Sequence, residues 1–149
     1  MVQAPGAKML KVVGIIMVVF GGMGVIFIPI IFLMFYFMAP IFSEVGVDFY
    51  SDAFMASLIV GVAGPLFNVF AGIMAIKYNA RLDKAQLLRL LGIIGIVVVV
   101  ISTVFAYILM SSMMPFDTGI SAAVEPPISL VLPILYLVGA IQNIKAARR

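Results

Sequence analysis

The sequence predicts an all-α integral membrane protein, a bundle of four helices within one domain spanning residues 1–149. Three observations lead there: four long apolar runs, charges confined to the gaps between them, and a separation of basic from acidic gaps. The chain is 65% hydrophobic and 10% charged, with a mean hydropathy of +1.31. Soluble domains carry about 25% charged residues. Segments that are apolar on every face suit lipid rather than water as solvent.

All nine basic residues fall into three stretches. Lys8 and Lys11 precede the first run, Lys77, Arg81, Lys84 and Arg89 lie between the second and third, and Lys145, Arg148 and Arg149 follow the fourth. The two remaining gaps hold Glu44, Asp48 and Asp52, then Asp117 and Glu125, without a basic residue. Loops rich in Lys and Arg stay in the cytoplasm. The expected topology is therefore tetraspan and positive-inside, with both termini cytoplasmic.

The first span is expected over 12–37. Its apolar character continues to Phe42, and thirty helical residues reach roughly 45 Å against a hydrocarbon core of about 30 Å. It must tilt, kink or project, with Pro29 as the kink. Phe32, Phe35, Tyr36 and Phe37 suit a membrane interface. The run is too long for the apolar core of a secretory signal, about 7–15 residues, so it reads as an uncleaved anchor. The second span is expected over 53–76, with Ser51 or Asp52 capping its start. The third is expected over 90–112, preceded by Asp83 as its cap and followed by Pro115. The fourth, over 128–144, follows Pro126 and Pro127, which suit the first turn of a helix.

Met9–Ile16 (MLKVVGII) resembles Leu87–Ile94 (LLRLLGII), and Pro65 precedes Lys77 by the same twelve residues that separate Pro133 from Lys145. Two tandem in–out–in hairpins would give this pattern, and parallel repeats of this kind occur in transporters. Chance matching between apolar sequences is the alternative.

Without a hydrophobic drive between helices in lipid, bundles rely on small residues and interhelical hydrogen bonds. Ser57, Gly61, Gly64, Asn68 and Gly72 form a helix-packing face on the second span, and Gly92 and Gly95 a second one on the third. Ordinary packing accounts for such faces; a homo-oligomer interface or a substrate pathway is the sharper reading. Asn68, Tyr136, Ser102 and Thr103 form a candidate polar patch, read as structural hydrogen bonding or as a ligand site.

The chain has no Cys and no His. That removes thiol chemistry, the commonest metal ligand and the usual acid–base group at neutral pH. No catalytic, cofactor-binding or metal-binding residue is expected, and no cofactor. The outer acids lack the oxygen-rich loop spacing of a calcium site. The basic residues are accounted for by topology, so no nucleic-acid partner is expected; anionic lipid headgroups suit them.

The segments AGIMAIKYNARLDKAQLLRLLGII (Ala71–Ile94) and LPILYLVGAIQNIKAARR (Leu132–Arg149) resemble those of small, uncharacterised four-helix membrane proteins of bacteria. The resemblance implies a bacterial inner membrane and no particular activity. The expected function is non-enzymatic: helix–helix contacts within a homo-oligomer, or as a subunit or modulator of a larger membrane complex. The alternative is a small transporter or channel built around Asn68 and Tyr136.

Overall fold

The computed structural model describes residues 4–44, 52–113 and 119–148, and among them all regular structure is helical. Helix α1 spans Ala7–Ser43, α2 Asp52–Tyr78, α3 Ala85–Met113 and α4 Gly119–Ala147, with a 3-10 turn over Leu82–Lys84 leading into α3. Each of the four helices holds an apolar stretch long enough to cross a membrane.

The most extensive packing joins α1 to α2 and α3 to α4, and α2–α3 and α1–α4 contacts close the ring. Neighbouring helices run antiparallel. Gly14 of α1 meets Gly72 and Ala75 of α2, while Gly24, further along α1, meets the earlier Pro65. All three basic stretches therefore gather at one end of the bundle, called here the basic end.

The core lies in the half of the bundle nearest that end. Leu10, Val13 and Met17 of α1 pack with Ala71 and Ala75 of α2, Leu88 and Leu91 of α3, and Tyr136 and Ala140 of α4. On every helix these positions are three or four residues apart, so they share one face. Small residues let the backbones touch. A Cβ on Gly72 would sit 2.6 Å from the Gly14 carbonyl oxygen, and one on Gly14 would sit 2.8 Å from that of Gly72. The α1–α2 crossing is thus a reciprocal glycine contact, the close approach that association in lipid favours.

The helices outrun the apolar spans. Hydropathy marks where the chain is apolar, whereas the helix ends where its backbone hydrogen bonds end. The clearest difference is α4, which begins at Gly119 and includes Pro126 and Pro127 rather than starting after them. Asp83 does not cap α3. It lies inside the 3-10 turn, whose capping position is Arg81 and lacks a side-chain cap bond. The tighter turn supplies backbone bonds instead, from Arg81 to the Tyr78 carbonyl and from Lys84 to that of Arg81. Ser51, Asp48, Pro115 and Asp117 lie outside the described residues, as do the side chains of Phe35, Asp52 and Glu125.

The two helix pairs are not packed in equivalent register. Gly92 faces Tyr136 and Leu137, whereas the sequence match to Gly14, which faces Gly72 and Ala75, would bring it to Ala140 and Asn143. The offset is at least three residues along the helix, about 4.5 Å.

Away from the basic end, α1 projects as the longest helix, at 37 residues. Its rings cluster there, with Phe32 and Tyr36 centroids 6.5 Å apart and Tyr36 edge-on to Phe37 at 6.0 Å.

Candidate functional site

Among the described residues, the polar contacts that cross between elements concentrate near the basic end, and Asn143 is their centre. On α4, Pro133, Tyr136, Ala140 and Asn143 fall on one buried stripe. Asn143 ends that stripe fully buried. Its Oδ1 accepts the Gly6 N–H at 2.8 Å, and its Nδ2 donates to the Asn79 carbonyl at 2.8 Å. Asn79 in turn donates to the Ile76 carbonyl. One amide thus fastens the start of α1, the turn after α2, and α4.

The clamp demands glycine at its other face. A Cβ on Gly6 would collide with the Gly139 carbonyl, and one on Gly139 would sit 3.0 Å from Leu10 Cγ. These small residues bring the first turn of α1 close enough for its N–H groups, which lack intrahelical partners, to use the Asn143 side chain. Asn143 was not among the expected site residues. The signal was its place one turn beyond Gly139 and Ala140, continuing the small and polar stripe of α4. Its nearness to the charged tail masked it.

The expected polar patch is assembled only in part. Tyr136 is buried and its hydroxyl donates to the Ala71 carbonyl at 3.2 Å, joining α4 to α2. Asn68 is half-buried, and no hydrogen bond among the described residues joins it to Tyr136, Ser102 or Thr103. Ser102 instead lies across from Gly64, its Oγ 4.0 Å from where a Cβ would stand. The Ala71 carbonyl lies within α2, so its loss of the Tyr136 donor leaves it a helical partner. Tyr136→Phe is therefore expected to cost only about 1 kcal/mol, measured as the shift in an SDS unfolding titration.

The expected small-residue faces separate along the bundle. Gly72 is buried on α1, Gly92 is buried beside α4, where a Cβ would meet the Leu137 backbone at 3.2 Å, and Gly95 is buried between α2 and α4, where a Cβ would stand 3.2 Å from the Phe67 ring and 3.5 Å from Pro133. Among the described residues Gly61 has no atom within 4 Å of its Cβ position, and it is exposed, so its α2 face is open. The side chain of Ser57 lies outside the described residues. The open region adjoins a groove of about 590 Å³ between α1 and α2, lined by Ile28, Pro29, Phe32, Ile59, Val62 and Leu66. The lining is hydrocarbon almost throughout, so the groove offers shape and apolar contact but no acid, base or nucleophile.

Electrostatically the basic end is one-sided. Each described Lys and Arg is exposed, and Asp83 is the acid facing them. Tyr78 carries two of the cations, with Lys77 Nζ 5.4 Å and Arg81 Cζ 5.7 Å from its ring centroid. Among the described residues no three His, Cys, Asp or Glu side chains come together as a metal site would require.

No protein family, curated protein or solved structure matches this chain.

Proposed function

We propose that this chain is a small, non-enzymatic integral membrane protein of the bacterial inner membrane. Its basic end faces the cytoplasm, and it acts through helix–helix contacts, as a homo-oligomer or as a subunit or modulator of a larger membrane complex. The observation that carries this reading is how little of the apolar surface the single chain hides. Within the 18-residue apolar window of each stretch, only 11 to 28% of the residues are buried within the bundle. Phe37 and Ile59 remain 74% and 73% exposed. Soluble monomers rarely leave contiguous apolar patches larger than a few hundred Å², so these faces call for lipid and for other helices. The polar groups agree, because the tight clamp and the exposed cations lie near one end while the apolar stretches run away from it.

The absence of Cys and His from the sequence supports a role without catalysis. A transport role has less to draw on, since Tyr136 is committed to the Ala71 carbonyl and shares no bond with Asn68.

Gly61 provides the test. Its surroundings are open within the monomer, so Gly61→Leu is accommodated by the fold and collides only with what packs on that face from outside. In mild detergent the wild type is expected to migrate as a defined oligomer or with a retained partner. Gly61→Leu is expected to release it at unchanged monomer stability, read by light scattering coupled to size exclusion. An unchanged assembly in both Gly61→Leu and Gly64→Leu would overturn the contact surface proposed here.

A further inference from the structure

The geometry points to a binding site for the phosphate of an anionic phospholipid headgroup at the turn between α2 and α3, formed by Lys77 and Arg81 on the Tyr78 ring, with Lys84 further along the same turn. This inference rests on the membrane reading above and adds a ligand to it.

Four observations converge on this turn. The cations are exposed and form no ion pair among the described residues, although Asp83 lies beside Lys84. Their positive charge is therefore unanswered within the protein. Second, Arg81 and Lys84 stand at the N-terminal end of α3. The helix dipole is positive there, so added cations are unfavourable unless an anion joins them. Third, Lys77 and Arg81 are both held near the Tyr78 ring. Cation–π contacts order side chains that are otherwise free. A guanidinium then offers a two-pronged donor to phosphate and the ammonium a point charge. Fourth, the turn is fixed to the bundle. The Asn79 carbonyl is held by Asn143, and the 3-10 turn packs on α3 and α4.

Topology alone requires cations at this end. It does not require them on one aromatic ring, or on a turn anchored by a buried amide. Tyr78 also closes the apolar stretch of α2, which runs Ile59–Tyr78. In the membrane reading that is the depth of the headgroups, where Tyr residues gather.

The test uses the full chain, purified in mild detergent and titrated with phosphatidylglycerol or phosphatidylcholine of identical acyl chains, with bound lipid counted by native mass spectrometry. The wild type is expected to retain phosphatidylglycerol preferentially. The double variant Lys77→Gln, Arg81→Gln is expected to lose about 30-fold in affinity for it, from two surface cations. Lys8→Gln, Lys11→Gln removes the same charge from the same end and is expected to lose far less. Equal losses from the two double variants would overturn the site, leaving only diffuse attraction, as would equal retention of the two lipids. Inorganic phosphate is the competing source of the same chemistry, and its displacing phosphatidylglycerol completely would overturn the lipid assignment. Flotation with vesicles after carbonate washing separates the two readings. A chain that fails to float contradicts membrane insertion itself, whereas a floating chain without headgroup preference contradicts this site alone.

Discussion

Gly72→Leu is expected to disrupt the α1–α2 crossing and with it the bundle, while Gly61→Leu on the same helix leaves the monomer intact. The difference follows from what each new side chain meets. At Gly72 even a methyl group would stand 2.6 Å from the Gly14 carbonyl oxygen and 2.8 Å from Val18 Cγ2, and the backbone of α1 cannot yield as a flexible side chain can. Overpacking a fitted core costs about 1–3 kcal/mol and sometimes more. Leucine at a backbone-to-backbone contact belongs at or above the top of that range. Close approach is also what holds helices together in lipid, so separating α1 from α2 forfeits attraction along the rest of the crossing. The measurement is an SDS unfolding titration of Gly72→Leu and Gly61→Leu beside the wild type, with Gly72→Ala as an intermediate step. Wild-type stability in Gly72→Leu would show that α1 and α2 do not approach as closely as described.

Asn143→Leu is expected to be the most damaging change to a polar side chain. It strands the Gly6 N–H and the Asn79 carbonyl, both held by a fully buried amide. Each buried group left unpaired costs about 1–3 kcal/mol, so the pair amounts to roughly 2–5 kcal/mol with partial relief from water at the bundle end. Asn68→Leu removes no observed bond and is expected to fall near or below the average interhelical hydrogen bond, about 0.6 kcal/mol. Hydrogen exchange separates a local from a global effect. In Asn143→Leu the protection of the Gly6 and Leu10 amides should fall by more than that of the amides at the centre of the bundle, because Leu10 donates to the Gly6 carbonyl in the turn that the clamp fixes. Equal costs at Asn143 and Asn68 would show that the clamp holds nothing.

The four helices were legible because long apolar runs between charged gaps leave the backbone few alternatives. Their ends were not. Hydropathy stops at Pro127, but α4 carries its helix back to Gly119, so the proline pair that reads as a helix entry stands inside the helix, where each proline lacks the backbone N–H that an interior position uses. Asp83 looked like a cap by residue type and by its place three residues before Gln86, and the 3-10 turn satisfied the backbone without it. The glycines of α2 looked like one face because spacing fixes angular position only. It says nothing of how deep along the axis the bundle stays closed, so Gly72 is buried and Gly61 lies open. Asn68 stood out for its mid-span position. Asn143 did the bonding, because partners near the basic end include backbone groups freed where α1 begins and α2 ends, and mid-helix backbone groups are already paired.

The most direct test of the four-crossing topology places one thiol at each end of this cysteine-free chain. Glu44→Cys lies in the exposed turn after α1, and Asp83→Cys lies exposed in the 3-10 turn, leaving every basic residue in place. In intact cells a membrane-impermeant maleimide is expected to label Glu44→Cys, and to reach Asp83→Cys only after the membrane is opened. Labelling of Asp83→Cys with Glu44→Cys protected would invert the topology, and equal labelling of both in intact cells would contradict a membrane crossing between them.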